Sequence, residues 1–178
     1  MKILRTDFDN LLLIKPEIHI DSRGFFKETF QKKLLEKFIN KKINFCQDNI
    51  ASSSNMVLRG LHYQEEPFSQ SKLIFVTSGK ILDIVVDIRK NSKTYGKYFS
   101  IELSSDNHKI LFIPKGFAHG YLTLSNKATI SYKVDNYYNK DYERGISFND
   151  PFLNIDFGID NSNFNISNKD KNLPNYTW

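Results

Sequence analysis

Cysteine is almost absent from the 178-residue chain, in which Cys46 is the only one. A single cysteine excludes an internal disulfide framework and is typical of proteins from a reducing compartment. Long apolar runs are also missing, since none approaches the ~20 residues that cross a bilayer. The apolar patch near the start is broken by Lys15 and Pro16, and no small-residue cleavage site follows it. We therefore expect a cytoplasmic protein with no membrane-spanning segment and no membrane partner.

Clusters of basic residues are missing too, although the formal net charge is +5. Lys and Arg are scattered or occur in pairs, such as those at 32–33 and 41–42, whereas nucleic-acid-binding proteins more often carry a basic stripe. We interpret the excess charge as mostly solvated surface, with a few arginines available to hold phosphate. No nucleic-acid partner is expected.

The chain has no internal repeat and no interdomain linker, so residues 1–178 are expected to form a single domain. Its segments are rich in Ile, Val, Phe, Tyr and Thr, and turn residues separate them, which predicts many short strands. Such strands predict an all-β jelly roll with one or two short helices. The helical spacing of Leu34, Leu35 and Phe38 predicts one helix within 31–40. The strand segments are 73–88 with a turn at Ser78-Gly79, 98–104, 109–116 and 128–138.

Histidine is scarce as well, with four in the chain. His62 interrupts an apolar strand pattern in VLRGLHYQ, and His119 lies in IPKGFAHGY, where Pro and Gly predict a turn between two strands. We interpret His19 and His108 as structural. A barrel metal site commonly includes a His-x-His pair, but Gln64 is the second residue after His62. The sequence therefore favours no metal site.

General acid–base chemistry is the better interpretation of His62. Such a reaction needs a base with a pKa near neutrality, a partner that fixes its tautomer, and an acid on the opposite face. Tyr132 could be the acid, and Lys72 could stabilise an oxyanion. The sequence leaves several carboxylates open as the partner of His62: Asp83, Asp87, Glu143 and Asp170.

Several stretches of the chain carry a recognisable pattern in order and without large gaps. They are DSRGFFKETF (21–30), QDN (47–49), VLRGLHYQ (57–64), 70–96, IPKGFAHGY (113–121), ERGISFNDPFLNI (143–155) and SNKD (167–170). Together they resemble the dTDP-4-dehydrorhamnose 3,5-epimerase family. The resemblance implies a cupin-type double-stranded β-helix that works as a homodimer without a metal or organic cofactor. It also implies inversion at C3, C5 or both in a nucleotide-linked 4-keto-6-deoxyhexose.

The resemblance also implies roles for individual residues. His62 corresponds to the base, Asp170 to its partner, Lys72 to the group that steadies the enolate, and Tyr132 to the acid. Substrate binding falls to a wider set, of which Arg23 and Glu28 would come from the partner subunit through an exchanged N-terminal strand. That set is Arg23, Phe26, Glu28, Gln47, Asn49, Arg59, His119, Tyr138 and Glu143.

The chain departs from the family pattern around the expected nucleotide and sugar positions. Ala51, Ser52 and Met56 stand where the family usually has Ser, a basic residue and Gly, and the segments 139–140 and 156–157 also differ. The departures leave open the nucleotide, the choice between C3 and C5, and the final product. A single-carbon epimerase and a non-catalytic sugar-nucleotide-binding jelly roll remain as alternatives.

Overall fold

The computed structural model describes residues 1–178 and is built mainly from short strands. In chain order these are β1 (Lys2–Arg5), β2 (Leu12–Lys15), β3 (Ile18–Asp21), β4 (Gly24–Lys27), α1 (Lys32–Ile39), β5 (Gln47–Ser54), β6 (Val57–Gln64), β7 (Lys72–Ser78), β8 (Lys80–Asp87), β9 (Tyr98–Ser104), β10 (Ile110–Ile113), β11 (Phe117–Thr123), β12 (Lys127–Val134), β13 (Glu143–Gly145), a 3₁₀ turn (Asn161–Asn163), β14 (Asn165–Ile166) and α2 (Asn168–Lys171).

Two sheets pack face to face. The first has the order β1-β2-β10-β7-β12-β5, and the second has the order β13-β6-β11-β8-β9, with β14 added in parallel to β6. All other neighbours in the two sheets are antiparallel. The all-β jelly-roll prediction is confirmed, as are the helix within 31–40 and the turn at Ser78-Gly79. The strands β3 and β4 form a separate hairpin that pairs only with itself.

The apolar runs in the sequence reflect sheets that are covered on both faces. Alternate residues of β7 and β8 point inward to the core between the sheets, which contains Ile74, Val76, Ile81 and Val85. The intervening residues of the first sheet pack against α1 through Leu35, and those of the second pack against the C-terminal segment. A strand that is buried on both faces reads as continuously apolar, so polar residues on the inner face need a specific reason to be there.

Two sequence expectations are corrected by the strand boundaries. His119 does not lie in a turn, because all seven residues from Phe117 to Thr123 are buried within β11, between β6 and β8. The glycine that suggested the turn, Gly120, is needed for close strand packing, since a Cβ there would lie 2.5 Å from the Arg59 carbonyl oxygen. Strand β12 ends at Val134 rather than at 138. At the next residue, the Asp135 carboxylate accepts a hydrogen bond from the backbone N–H of Ser71.

Neither α-helix has the length and apolar character that crossing a membrane would require. The longer of the two, α1, has eight residues.

Candidate active site

A cavity of about 510 Å³ opens between the two sheets. Its walls combine an apolar lining with polar side chains from six strands and helices. Six residues that the sequence singled out line it together, namely Arg59, His62, Lys72, His119, Tyr132 and Asp170. A concave site with a few convergent polar groups is the usual form of a small-molecule site.

A short polar contact in the cavity joins His62 to Asp170. His62 Nε2 lies 2.7 Å from Asp170 Oδ1, and the second carboxylate oxygen accepts from the Gly60 backbone N–H at 3.2 Å. Of the four carboxylates that the sequence left open as partners of His62, the structure brings Asp170 into contact. The His62 side chain keeps 28% of its surface exposed, so the ring remains accessible from the cavity.

The position of Asp170 is set by the short tail that follows the barrel. Strand β14 pairs with the beginning of β6, with Asn165 opposite Val57 and Ile166 opposite Leu58. Ser167 then caps α2, because its side chain accepts from the backbone N–H of Asp170. The cap fixes the first turn of a helix too short to be stable by itself. This arrangement turns the Asp170 carboxylate toward β6.

Asp170 is held as a carboxylate. Burial tends to raise the pKa of Asp170, but the hydrogen bonds with His62 and the Gly60 N–H outweigh it, so the pKa lies below its ordinary value. An ionised carboxylate beside an imidazole fixes which ring nitrogen carries the proton. The pair therefore favours the tautomer with the proton on Nε2, which leaves Nδ1 able to accept a proton.

Lys72 and Tyr132 add two further titratable groups to the same cavity. Burial lowers the pKa of Lys72 to about 8, against the opposing attraction of Asp83 and Glu143. Burial likewise raises the pKa of Tyr132, helped by Tyr121 and opposed by Arg59. At neutral pH the cavity thus presents a charged ammonium group and a protonated phenol. These are the protonation states that oxyanion stabilisation and proton donation need.

His119 lies directly opposite His62 in the β6–β11 register. Its Nε2 atom is 2.9 Å from Oδ2 of Asp83, which is completely buried. The sequence offered Asp83 as a partner for His62, and the structure pairs it with His119 instead. The two histidines therefore have separate carboxylate partners, Asp170 and Asp83.

Arg59 is oriented by neighbours that the sequence did not single out. Its Nε donates to Ser53 Oγ at 3.0 Å, and the same oxygen lies 3.1 Å from the Tyr121 hydroxyl. Tyr121 also lines the cavity. Tyr121 stands two residues after His119 on β11, so the two side chains point to the same face of the sheet. This spacing is the signal that could have identified Tyr121.

At the rim, Glu143 joins two residues. Its Oε2 atom accepts from the Tyr138 hydroxyl at 2.8 Å and from the Lys169 ammonium at 2.6 Å. Burial tends to raise the pKa of Glu143, but these contacts and the nearby His62 hold it below the ordinary value. Lys169 lines the cavity and was missed in the sequence. Its place beside Asp170 in SNKD is the signal that could have found it.

The remaining expected substrate residues lie outside this constellation. Gln47 and Asn49 bond to each other on β5 and share the inward parity of Ala51, which lines the cavity. Arg23 and Phe26 lie on the β3–β4 hairpin with Glu28 just after it, all three exposed, and Arg23 pairs with Asp21. No three His, Cys, Asp or Glu side chains converge as a metal site would need.

Comparison with known proteins identifies the family. A family model described as dTDP-4-dehydrorhamnose 3,5-epimerase matches residues 5–177. The chain belongs to the dTDP-4-dehydrorhamnose 3,5-epimerase family. A relative of that name from Shigella flexneri is 44% identical over 90% of this chain and 89% of its own. The members of this family are isomerases that act on carbohydrates.

Solved structures of the family superimpose closely on the chain. The dTDP-4-dehydrorhamnose 3,5-epimerase of Elizabethkingia anophelis has a TM-score of 0.95 and 41% identity, covering 99% of this chain and 96% of its own. A dTDP-6-deoxy-D-glucose-3,5-epimerase of Legionella pneumophila has a TM-score of 0.92 and 41% identity, covering 98% and 92%. The Legionella structure was determined in complex with dTDP-4-keto-L-rhamnose. The family thus shares the cupin-like jelly roll described above.

Proposed function

We propose that the chain is a sugar-nucleotide 3,5-epimerase that converts dTDP-4-dehydro-6-deoxy-D-glucose into dTDP-4-dehydro-L-rhamnose. The observation that carries the proposal is the 2.7 Å contact between His62 Nε2 and Asp170 Oδ1 in a cavity that also holds Lys72 and Tyr132. Family membership supports the same reaction. Residues 1–178 would act as one epimerase domain.

His62 is the base in this mechanism. When its Nε2–H donates to Asp170, the Nδ1 lone pair is free to take a proton from carbon. A hydrogen beside the C4 ketone is weakly acidic, because the electron pair of the broken C–H bond moves onto the C4 oxygen. The Asp170 carboxylate stabilises the imidazolium that forms.

Lys72 stabilises the enolate. The negative charge that develops on the C4 oxygen needs a donor placed in a site that largely excludes water. A protonated Lys72 supplies this charge from β7, and its pKa of about 8 leaves most molecules charged at neutral pH. Stabilisation that exists only when the oxyanion has formed accelerates the chemical step.

Tyr132 returns the proton from the opposite face. Inversion requires the proton to leave one side of the sugar ring and to come back on the other. His62 on β6 and Tyr132 on β12 belong to the two facing sheets, which suits them to opposite sides of the ring. Its raised pKa keeps the Tyr132 hydroxyl protonated until the enolate carbon accepts the proton. Solvent then reprotonates the phenolate and removes the proton from His62.

The nucleotide diphosphate is assigned to the cationic side of the cavity. Arg59 can bind phosphate oxygens two at a time, and the Ser53 contact orients its guanidinium group. His119 lies on the adjacent strand. Tyr138 offers an exposed aromatic face for the base, and Glu143 holds its hydroxyl. Gln47 and Asn49 complete the sugar and base contacts.

A homodimer with an exchanged N-terminal strand accounts for Arg23, Phe26 and Glu28, which lie outside the cavity of the single chain. The hairpin exposes Ile20, Phe25 and Phe26, which are 80%, 59% and 65% accessible. Strand β5 ends its sheet with an unpaired edge that carries the exposed Ile50. Pairing of a partner's hairpin along this edge would cover these surfaces and deliver Arg23, Phe26 and Glu28 to the cavity. We place the enzyme in the cytoplasm.

The deciding experiment follows the substrate in deuterated water by NMR, using protein dialysed against a chelator because no proposed step uses a metal or organic cofactor. Deuterium should enter at both C3 and C5 of the dTDP-4-keto sugar, and the matching GDP sugar tests nucleotide preference. Exchange at one carbon would assign the chain to single-carbon epimerases. No exchange at either carbon with either nucleotide, or equal exchange with His62→Ala, would reject the proposed mechanism.

A further inference from the structure

Asp83 is a completely buried carboxylate that uses only one of its two oxygens. Its Oδ2 atom contacts His119 Nε2 at 2.9 Å, whereas its Oδ1 atom has no hydrogen-bond partner. It is the only buried carboxylate oxygen in the chain without one. A buried, unpaired oxygen of this kind is costly unless a nearby charge compensates it. The unused oxygen therefore points to an electrostatic partner.

Lys72 is the candidate for that partner, because β7 and β8 face each other across the core. Asp83 shares the inward face of β8 with Ile81 and Val85, both members of the core between the sheets. Lys72 shares the inward face of β7 with Ile74, in the facing sheet. Of the two carboxylates that favour the charged form of Lys72, Asp83 has the larger effect and Glu143 the smaller.

The other two carboxylates of the site, Glu143 at the rim and Asp170 in the cavity wall, already have hydrogen-bond partners. Glu143 accepts from Lys169 and Tyr138, and Asp170 accepts from His62 and from a backbone N–H. The remaining charged groups are cations, Arg59 on β6 and Lys169 on α2, which disfavour a second ammonium nearby. The remaining titratable groups are His62 on β6, His119 and Tyr121 on β11 and Tyr132 on β12. Asp83 is thus the one carboxylate with an oxygen to spare for Lys72.

We propose that Asp83 is a positioning residue that keeps the Lys72 ammonium charged and directed into the cavity through its Oδ1 atom, while its Oδ2 atom orients His119. The inference rests on the enolate-stabilising role proposed for Lys72 and adds the residue that makes this role available at neutral pH. One buried negative charge would then act on both Lys72, the proposed stabiliser of the enolate, and His119, the imidazole assigned to the diphosphate.

The test measures the protonation of Lys72 without substrate. The side-chain ¹⁵Nζ and ¹³Cε resonances of Lys72, assigned by their absence in Lys72→Arg protein, are followed against pH in the wild type and in Asp83→Asn. Loss of the negative charge should move the titration midpoint of Lys72 from about 8 downward by about one pH unit or more. An unchanged midpoint would overturn the proposal.

Asp87→Asn is the matched control. Asp87 lies on the same strand and is equally buried, but its carboxylate is held by Arg89, Ser92 and Thr94. Its substitution perturbs a buried aspartate of β8 and should leave the Lys72 midpoint in place. A downward shift of the same size in both variants would attribute the effect to general loosening of β8 and would also overturn the proposal.

A second measurement uses the unmutated protein, so that the test does not depend on the folding of Asp83→Asn. If Asp83 faces both groups, the His119 ring ¹⁵N shift should change as Lys72 loses its proton, and this inflection should vanish in Lys72→Arg protein. Absence of the inflection in the wild type would reject Asp83 as an electrostatic partner of both groups. Neither readout depends on turnover, so a failure of the epimerase assay and a failure of this inference are separate results.

Discussion

His62 and Asp170 lie 108 positions apart in the sequence, yet His62 Nε2 and Asp170 Oδ1 are 2.7 Å apart in the structure. The histidine belongs to a barrel strand and the aspartate to a helix of four residues behind that strand. The proposed roles of base and partner account for this meeting of a barrel-strand histidine with a buried carboxylate from a separate segment.

Asp170→Asn should leave the barrel intact and reduce kcat about 10³- to 10⁴-fold, because an amide neither fixes the His62 tautomer nor stabilises the imidazolium. Asp160→Asn is the control, since Asp160 caps the exposed 3₁₀ turn of the same tail and does not line the cavity. Deuterium exchange rates at saturating substrate give the comparison. Equal losses in the two variants would mean that the tail acts only by folding.

The pH dependence of kcat should show an alkaline limb near 8 that belongs to Lys72. The active form is the protonated one, and its pKa is lowered to about 8, so activity is present below this pH and is lost as the pH rises through it. In Lys72→Arg the limb should disappear over the same range, because a guanidinium group keeps its proton, although the plateau will be lower. An alkaline limb that stays near 8 in Lys72→Arg would assign it to another group.

Mixed dimers should reveal whether Arg23 acts in the partner's site. His62→Ala and Arg23→Ala proteins, each nearly inactive, are unfolded together in equal amounts and refolded. Exchange of the hairpin predicts recovery of about a quarter of the wild-type rate, because half of the dimers are mixed and each has one complete site. If Arg23 serves its own chain, the mixture will be no more active than its components.

Gly60→Ala should destabilise the barrel by about 3 kcal/mol, which lowers Tm by roughly 10 °C. Gly60 has a φ of +113°, and a Cβ there would lie 2.7 Å from both Gly120 Cα and the His119 carbonyl oxygen. Gly158→Ala is the control, because its φ is also positive at +69° but nothing lies within 4 Å of the added carbon. The control should lose about 1 kcal/mol, and thermal unfolding by circular dichroism separates the two. Equal losses would show that backbone strain dominates over crowding.

The sequence predicted the architecture well, because strand propensity and turn residues are local properties. The contents of the inner face were harder to predict. The parity of Asp83 with Ile81 and Val85 could have directed it inward. Its pairing with His119 rather than His62 depends on which strand lies next to β8. That neighbour is β11, brought there by long-range pairing.

His119 shows the opposite kind of error. Glycines around it suggested a turn by their usual local meaning, whereas Gly120 is a strand residue that lets β6 approach closely. Nothing local distinguishes the two uses of glycine. The positions of Arg23 and Glu28 were likewise beyond a single-chain pattern, because their proposed destination is a second copy of the chain.

Asp170, the proposed partner of the base, is joined to the barrel through β14, a two-residue strand on the edge of β6. In a molecule whose tail leaves β6, Arg59 and His119 would stay in place but Asp170 would leave His62, so such a molecule would still bind the nucleotide and would not turn over. Observed turnover is then the intrinsic rate multiplied by the docked fraction. Ligand binding that counts every molecule will therefore report more sites than a burst of product does.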